Sequence, residues 1–197
     1  MNKITKQILD KVPKNAKVLD LGCGDGSLLS TLIKEKNCSG YGIDLNHDCI
    51  IDCTKKGISA FQSDMESGLD GFSDQFFDVV ILSQTLQQVN KPLDLIKNML
   101  RISKQAIVTF PNFAHWTIRF SLLFGDIPKS KALPYEWYDT PNIRVISIQS
   151  FREMCKKNKI NIVEELSIYE RGILNFCLAP LAPNFFCHRG MFLIEKK

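Results

Sequence analysis

The sequence predicts an α/β fold: one doubly wound domain over residues 1–197, with seven strands in a mostly parallel sheet and an antiparallel pair at its end. Three observations predict it. Short apolar runs alternate with helical patterns for most of the chain, which means βαβ units with right-handed crossovers and helices on both faces. The run FDVVILS at 77–83 is nearly all apolar, as in a strand buried on both faces of a parallel sheet. The last two strand-like segments have no helix between them in this reading, so they pair antiparallel at one edge.

The elements follow in order. Ile4, Ile8, Leu9 and Val12 share one helical face, and Pro13 ends that helix. KVLDL, 17–21, is a short apolar run before glycines and reads as the first strand. SLLSTLIKEK, 27–36, is a helix, and GYGIDL, 40–45, the second strand. Asn46 can cap a helix running to about Lys56, where Gly57 stops it. ISAFQ, 58–62, and FDVVILS are the third and fourth strands. Pro92–Ile102 is a helix with Leu93, Ile96 and Leu100 inward, and QAIVTF, 105–110, is the fifth strand. Residues 111–146 form an aromatic-rich insert, irregular to about 140 except for a short helix over 116–124. Ser147 caps a helix to Asn158, and 161–169 and 191–196 are the closing strands.

Composition narrows the function. The chain has 197 residues, 45% hydrophobic and 23% charged, which excludes disordered and fibrous classes. The net charge of +4 is mild, and the lysines are scattered beside the helices as solvated faces. A nucleic-acid binder is expected to carry a stronger clustered field. Seven cysteines without a CxxC pair indicate cytosolic thiols. Cys187-His188 has no second ligand pair at zinc spacing, so no metal is expected. There is no signal-peptide core and no 18-residue apolar run, so the expected location is the cytoplasm, away from membranes.

The informative stretch is VLDLGCGDGS, 18–27. A strand runs into Gly22, Gly24 and Gly26, and a helix starts at once. Glycines let the turn take positive φ and let a ligand approach the backbone. The following helix presents free N–H groups and a positive dipole end. The spacing is G-x-G-x-G, whereas the dinucleotide fingerprint needs glycine where Ser27 stands. Acids close three successive strands: Asp20, Asp44 and Asp64. Asp44 can accept both hydroxyls of a ribose, Asp64 an exocyclic amine, and Asp20 faces a positive amino group. Three carboxylates repel phosphates and suit a cationic nucleoside. S-adenosylmethionine fits that description. Each acid taken alone also reads as a turn or cap residue.

On these residues, 17–110 resembles the class I S-adenosylmethionine-dependent methyltransferases, a Rossmann-like fold whose seven-stranded sheet ends in a reversed hairpin. DLGCGDG resembles that family's first motif, GIDL its second, QSDM its adenine-contacting loop, and FDVVILSQTLQQV its fourth-strand region. The resemblance implies a cofactor site of Asp20, Gly22, Cys23, Gly24, Asp25, Gly26, Asp44, Leu45, Ser63, Asp64, Met65 and Ser83. Its occupant is S-adenosylmethionine or S-adenosylhomocysteine.

SQTLQ at 83–87, FPNFAHW at 110–116 and LPYEWYDTPNI at 133–143 narrow the resemblance to the MetW family, over roughly 17–170. It implies a role in methionine biosynthesis and a partnership with homoserine O-acyltransferase. It departs at Arg144, where the family pattern has His, so no acid/base role is carried over to that position. The aromatics Tyr135, Trp137 and Tyr138 can roof a pocket with Gln84, Thr85, Asn112, His115 and Trp116, or they cover the sheet edge. His115 is the candidate general base, with a structural role as the alternative. The fourth strand ends in Ser83-Gln84-Thr85 and lacks the Asn/Asp-Pro-Pro-Tyr/Phe pattern of amino-methylating enzymes. The apolar segment 173–187 is a partner surface or packs on the sheet. Two functions stay open: an accessory subunit of the acyltransferase, or a free-standing methyltransferase of a small molecule.

Overall fold

The computed structural model describes residues 3–129, 133–168 and 181–197. Seven strands form one sheet in the order β3-β2-β1-β4-β5-β7-β6. They are β1 (Lys17–Leu21), β2 (Ser39–Asp44), β3 (Ser59–Gln62), β4 (Phe77–Ser83), β5 (Ser103–Pro111), β6 (Ile160–Ile168) and β7 (Arg189–Lys196). The first five run parallel, and β7 lies antiparallel between β5 and β6. This is the expected architecture, with β6 and β7 as the reversed pair.

Among the described residues the helices are α1 (Lys3–Lys11), α2 (Ser27–Lys36), α3 (His47–Lys55), α4 (Pro92–Ile102), α5 (Trp116–Leu123), α6 (Ile148–Lys157) and the short α7 (Pro183–Phe186). Asn46 and Ser147 cap α3 and α6 as their sequences predict: each side chain accepts a backbone N–H of the first turn. The segment 161–169 is a strand to Ile168, and Tyr169 lies outside the described residues. Two elements were not expected, α7 and a single 3-10 turn at Leu86–Gln88. Each is too short to show a hydrophobic period.

The period-two alternation of a doubly covered strand is visible in β4. Val80 and Leu82 join one core with Leu95, Ile96 and Met99 of α4. Val79 and Ile81 join the other with Ile8 of α1 and Leu29 and Leu32 of α2. Each such side chain contributes roughly 1.5–3 kcal/mol on burial. The two cores hold the carboxyl ends of β1 to β5 in one row. Because β7 runs the other way, its first residue, Arg189, meets Pro111 at that same end.

Candidate functional site

The loop between β1 and α2 is tied to β2. The N–H groups of Gly22 and Cys23 both donate to the Ile43 carbonyl, at 2.8 and 3.1 Å. Gly24 N–H donates to Asp44 Oδ2 at 2.9 Å, and Asn46 N–H to Asp44 Oδ1 at 2.9 Å. Asp44 therefore clamps the loop, yet each of its oxygens keeps acceptor capacity for a ligand.

The three glycines have different work. All take left-handed φ: 72° at Gly22, 54° at Gly24 and 73° at Gly26. A Cβ on Gly24 would meet nothing within 4 Å, so this glycine faces open space. A Cβ on Gly26 would lie 2.8 Å from both Cys53 Sγ and Ile58 Cδ1. Gly26→Ala should therefore destabilise the protein by about 2–4 kcal/mol through overpacking and backbone strain. Chemical denaturation measures this, and an unchanged midpoint would contradict the packing. On Gly22 the Cβ would meet Thr85 Oγ1 at 2.8 Å, which brings Thr85 against the loop.

Asp20 is 2% exposed, and its Oδ1 has no hydrogen-bond partner. Burial, and secondarily the charge of Asp44, push its carboxyl up to about 8. A buried acceptor without a donor is costly. An ammonium brought by a ligand would supply both the donor and the missing charge. The open Gly24, the acceptor capacity of Asp44 and the orphaned Asp20 oxygen fit a cationic ligand with vicinal hydroxyls.

Other expected cofactor residues are placed differently. Cys23 keeps its backbone in the loop while its thiol is buried against Gly42 and 3.9 Å from Cys53 Sγ; burial pushes that thiol up. Asp25 turns to Lys56 at 2.7 Å and to Ser27 Oγ at 2.6 Å, which hold its carboxyl down to about 2. Leu45 is exposed just beyond β2. Ser63 N–H donates to the Asp44 carbonyl at 3.1 Å. Asp64 is exposed and accepts Glu66 N–H at 2.8 Å, and Met65 is in the core. Asp64 and Met65 thus build the turn after β3, and the Asp64 carboxylate retains acceptor capacity.

At the end of β4 the backbone is strained. Gln84 has φ of 60°, a region that residues other than glycine seldom adopt. Its N–H donates to the Thr109 carbonyl at 3.0 Å, and its side-chain amide to Thr109 Oγ1 at 3.0 Å. Its Oε1 accepts from Arg189 Nε at 3.0 Å. Ser83 Oγ lies 3.3 Å from Thr109 Oγ1. Thr109 and Arg189 did not stand out in the sequence: Thr109 sits inside a strand, and Arg189 is 105 positions from Gln84. Only the antiparallel return of β7 brings it there.

His115 caps α5, with Nδ1 accepting Thr117 N–H at 3.3 Å, and its ring lies tilted by 32° against His188, centroids 3.8 Å apart. It is 2% exposed. Burial and His188 lower its pKa to about 4, with the Phe186 main chain pulling weakly the other way. It is neutral at pH 7, as a base must be, but it does not line the aromatic cavity. Asn112 is also buried, donating to the carbonyls of Asn184 and Cys187 at 3.0 and 2.8 Å, so it clamps α7 to β5.

The aromatic segment encloses an apolar cavity of about 290 Å³. Tyr135 and Trp137 line it with Phe113, Ile118, Leu122 and Val145. Tyr138 stands outside, edge-on to Trp137 at 5.5 Å, and Trp116 is half-exposed beside Phe120. The segment is anchored to the β4 end, because Ile143 and Arg144 N–H donate to the Gln87 carbonyl at 2.9 and 3.0 Å. Arg144 also donates through its guanidinium to the carbonyls of Val89 and Asn90. That explains an arginine here as an anchor. Of the apolar segment 173–187, residues 173–180 lie outside the described residues. Phe185 and Phe186 are half-buried and pack edge to face.

Strand order, reversed β7 and glycine loop make this the fold of the class I S-adenosylmethionine-dependent methyltransferases. A methyltransferase of that type from Archaeoglobus fulgidus superposes with a TM-score of 0.67 over 98% of this chain and 91% of its own, at 19% identity. A putative methyltransferase of Haloferax volcanii, solved with the activator Trm112, gives 0.70 over 96% and 87%, at 16% identity. At these identities the likeness shows the fold alone.

The chain belongs to the MetW family. The sequence model of "Methionine biosynthesis protein MetW" matches residues 3–194. The chain is 32% identical over 176 residues, 84% of its length, to the "Bifunctional methionine biosynthesis protein MetXA/MetW" of Rhodopirellula baltica, and spans 28% of that protein. It is 37% identical over 93 residues to a carboxy-S-adenosyl-L-methionine synthase of Campylobacter lari, covering 45% of this chain and 39% of the synthase. Among the described residues, no helix is long and apolar enough to cross a membrane.

Proposed function

We propose that this protein binds S-adenosylmethionine, or S-adenosylhomocysteine, at the glycine loop and serves methionine biosynthesis as an accessory subunit of homoserine O-acyltransferase in the cytoplasm. The orphaned Asp20 oxygen, in reach of the charge of Asp44, carries the cofactor half of this reading. Asp20 holds the ligand's ammonium, Asp44 its ribose hydroxyls and Asp64 its adenine amine. When bound, the cofactor supplies an activated methyl group or reports its abundance. The acyltransferase half rests on the relative whose name joins MetXA and MetW in one protein. For the cofactor to regulate the partner, it must bind the free and complexed states with different affinity. Sedimentation of this protein mixed with the same organism's acyltransferase tests the partnership; two independent boundaries at micromolar concentrations would refute it.

A second reading, a free-standing methyltransferase, is favoured by the strained Gln84 and the apolar cavity anchored to the same strand end. There the cavity takes an apolar acceptor, and a base such as His115 must become accessible. Trp137→Ala separates site from scaffold under either reading, because Trp137 is 70% exposed. Stability and S-adenosylmethionine affinity should stay within about twofold, as for surface substitutions. Acyltransferase stimulation or methyl transfer should fall at least about tenfold, as when an aromatic anchor that becomes buried on binding is lost. An unfolded variant would make the aromatics structural cover.

A further inference from the structure

At the end of the sheet opposite the glycine loop, the start of β6 pairs with the end of β7, Ile160 facing Lys196. The ends of α4 and α6 close over this corner. Two hollows of about 350 and 290 Å³ share Lys159, Ile160 and Lys197 as walls. Their floor is apolar: Leu100, Ile160 and Ile162. Their rims carry Lys97, Lys156, Lys159, Lys196 and Lys197, and no Asp or Glu side chain lines them. The chain as a whole is only +4, so everything outside this corner is net negative. Five lysines that look scattered in the sequence are gathered here by α4, the α6–β6 turn and the end of β7.

Two arginines complete the lining and are already engaged. Arg101 donates to the carbonyls of Phe72 and Leu69 and pairs with Asp74 at 3.1 Å. Arg152 grips Glu165 through Nε and Nη2, at 2.6 and 2.7 Å. None of the five lysines has an ion-pair partner among the described residues. Lys159 also holds φ of 55° directly after the Asn158 cap of α6. Glycine is the usual residue at that position, because it takes left-handed φ without strain. The lysine at this position adds charge to the cleft.

We propose that this cleft is a binding site for a small polyanion bearing two or more phosphates, with room on the Leu100–Ile160 floor for an apolar or aromatic part. Lysine serves phosphate as a mobile point charge, and like charges on one rim lower their mutual repulsion when an anion enters. Each hollow is at the small end of ordinary ligand size. This site is independent of the glycine loop and of the acyltransferase reading.

The test is calorimetric titration of inorganic tripolyphosphate and of GTP into the full chain, with S-adenosylhomocysteine present to hold the nucleoside site. Both probes should bind at about 50 mM salt and weaken at least about tenfold at about 200 mM, because the five lysines are exposed. GTP binding more tightly than tripolyphosphate would identify a nucleotide using the apolar floor; equal affinity would identify a phosphate chain alone. Lys159→Gly removes a charge while relieving the backbone, so affinity should fall about three- to tenfold with no loss of melting temperature. Lys97→Glu with Lys196→Glu should abolish binding. Absence of binding at low salt, unchanged affinity in these variants, or binding of poly-glutamate or oligonucleotides alone would overturn the proposal.

Discussion

Asp20→Asn should make the ligand-free protein more stable at pH 9 than the parent, and a poorer binder of S-adenosylmethionine. The folded carboxyl titrates near 8, raised from 3.8 by burial and by Asp44. Between these values the folded chain keeps a proton that the unfolded chain has released. The stability contributed by Asp20 is therefore complete below about pH 4 and is lost as pH rises through about 8. At pH 9 the parent buries an ionised carboxylate whose Oδ1 is unpartnered. A gain of about 2–3 kcal/mol in the variant, well below the ceiling set by the shift, corresponds to roughly 5–10 °C in melting temperature. Near pH 4 the two should melt together. Affinity should fall at least about tenfold, the loss of one charge-assisted hydrogen bond. Parent affinity should rise from pH 6 towards 8, until the ligand's own ammonium titrates, and this slope should vanish in the variant. Equal melting curves at pH 9 would show that Asp20 is not buried as described.

Asp44→Ala should have the larger effect on binding. It removes the acceptor proposed for the ribose and frees the Gly24 N–H that the carboxylate holds at 2.9 Å. Two charge-assisted hydrogen bonds at about 1.5–3 kcal/mol each predict a loss of at least about a hundredfold. Asp44→Asn retains one acceptor oxygen and should lose less. Calorimetry measures both, and unchanged affinity in the alanine variant would refute the placement of the ribose.

Much of the frame could be read from local pattern. The glycines of 22–26 and the capping side chains of Asn46 and Ser147 act on their own neighbours, so their signals survive in one dimension. Of the stripe Leu93, Ile96 and Leu100 predicted inward on α4, Leu93 is only half-buried; Leu95, Ile96, Met99, Leu100 and Ile102 are buried. Arrangements made by topology could not be read. Arg189 reaches Gln84 through the reversed strand, and Asn112 reaches Asn184 and Cys187 through the same return. The lysine cleft is assembled from three segments and has no local motif. The direction of a side chain at a loop is equally silent in sequence. Cys23 and Asp25 flank Gly24, yet one thiol enters the core and one carboxylate turns to Lys56. His115 carries the sequence features of a base, and in the fold it caps α5 beneath His188.

The most direct measurement of the proposed role is the rate of homoserine acylation by the same organism's acyltransferase, with and without this protein, at fixed S-adenosylmethionine. A large stimulation is expected, which Trp137→Ala lowers at least about tenfold and Asp44→Ala shifts to higher S-adenosylmethionine concentration. An unchanged rate, with no complex formed, would contradict the accessory role and leave methyl transfer to a small apolar acceptor as the function of this site.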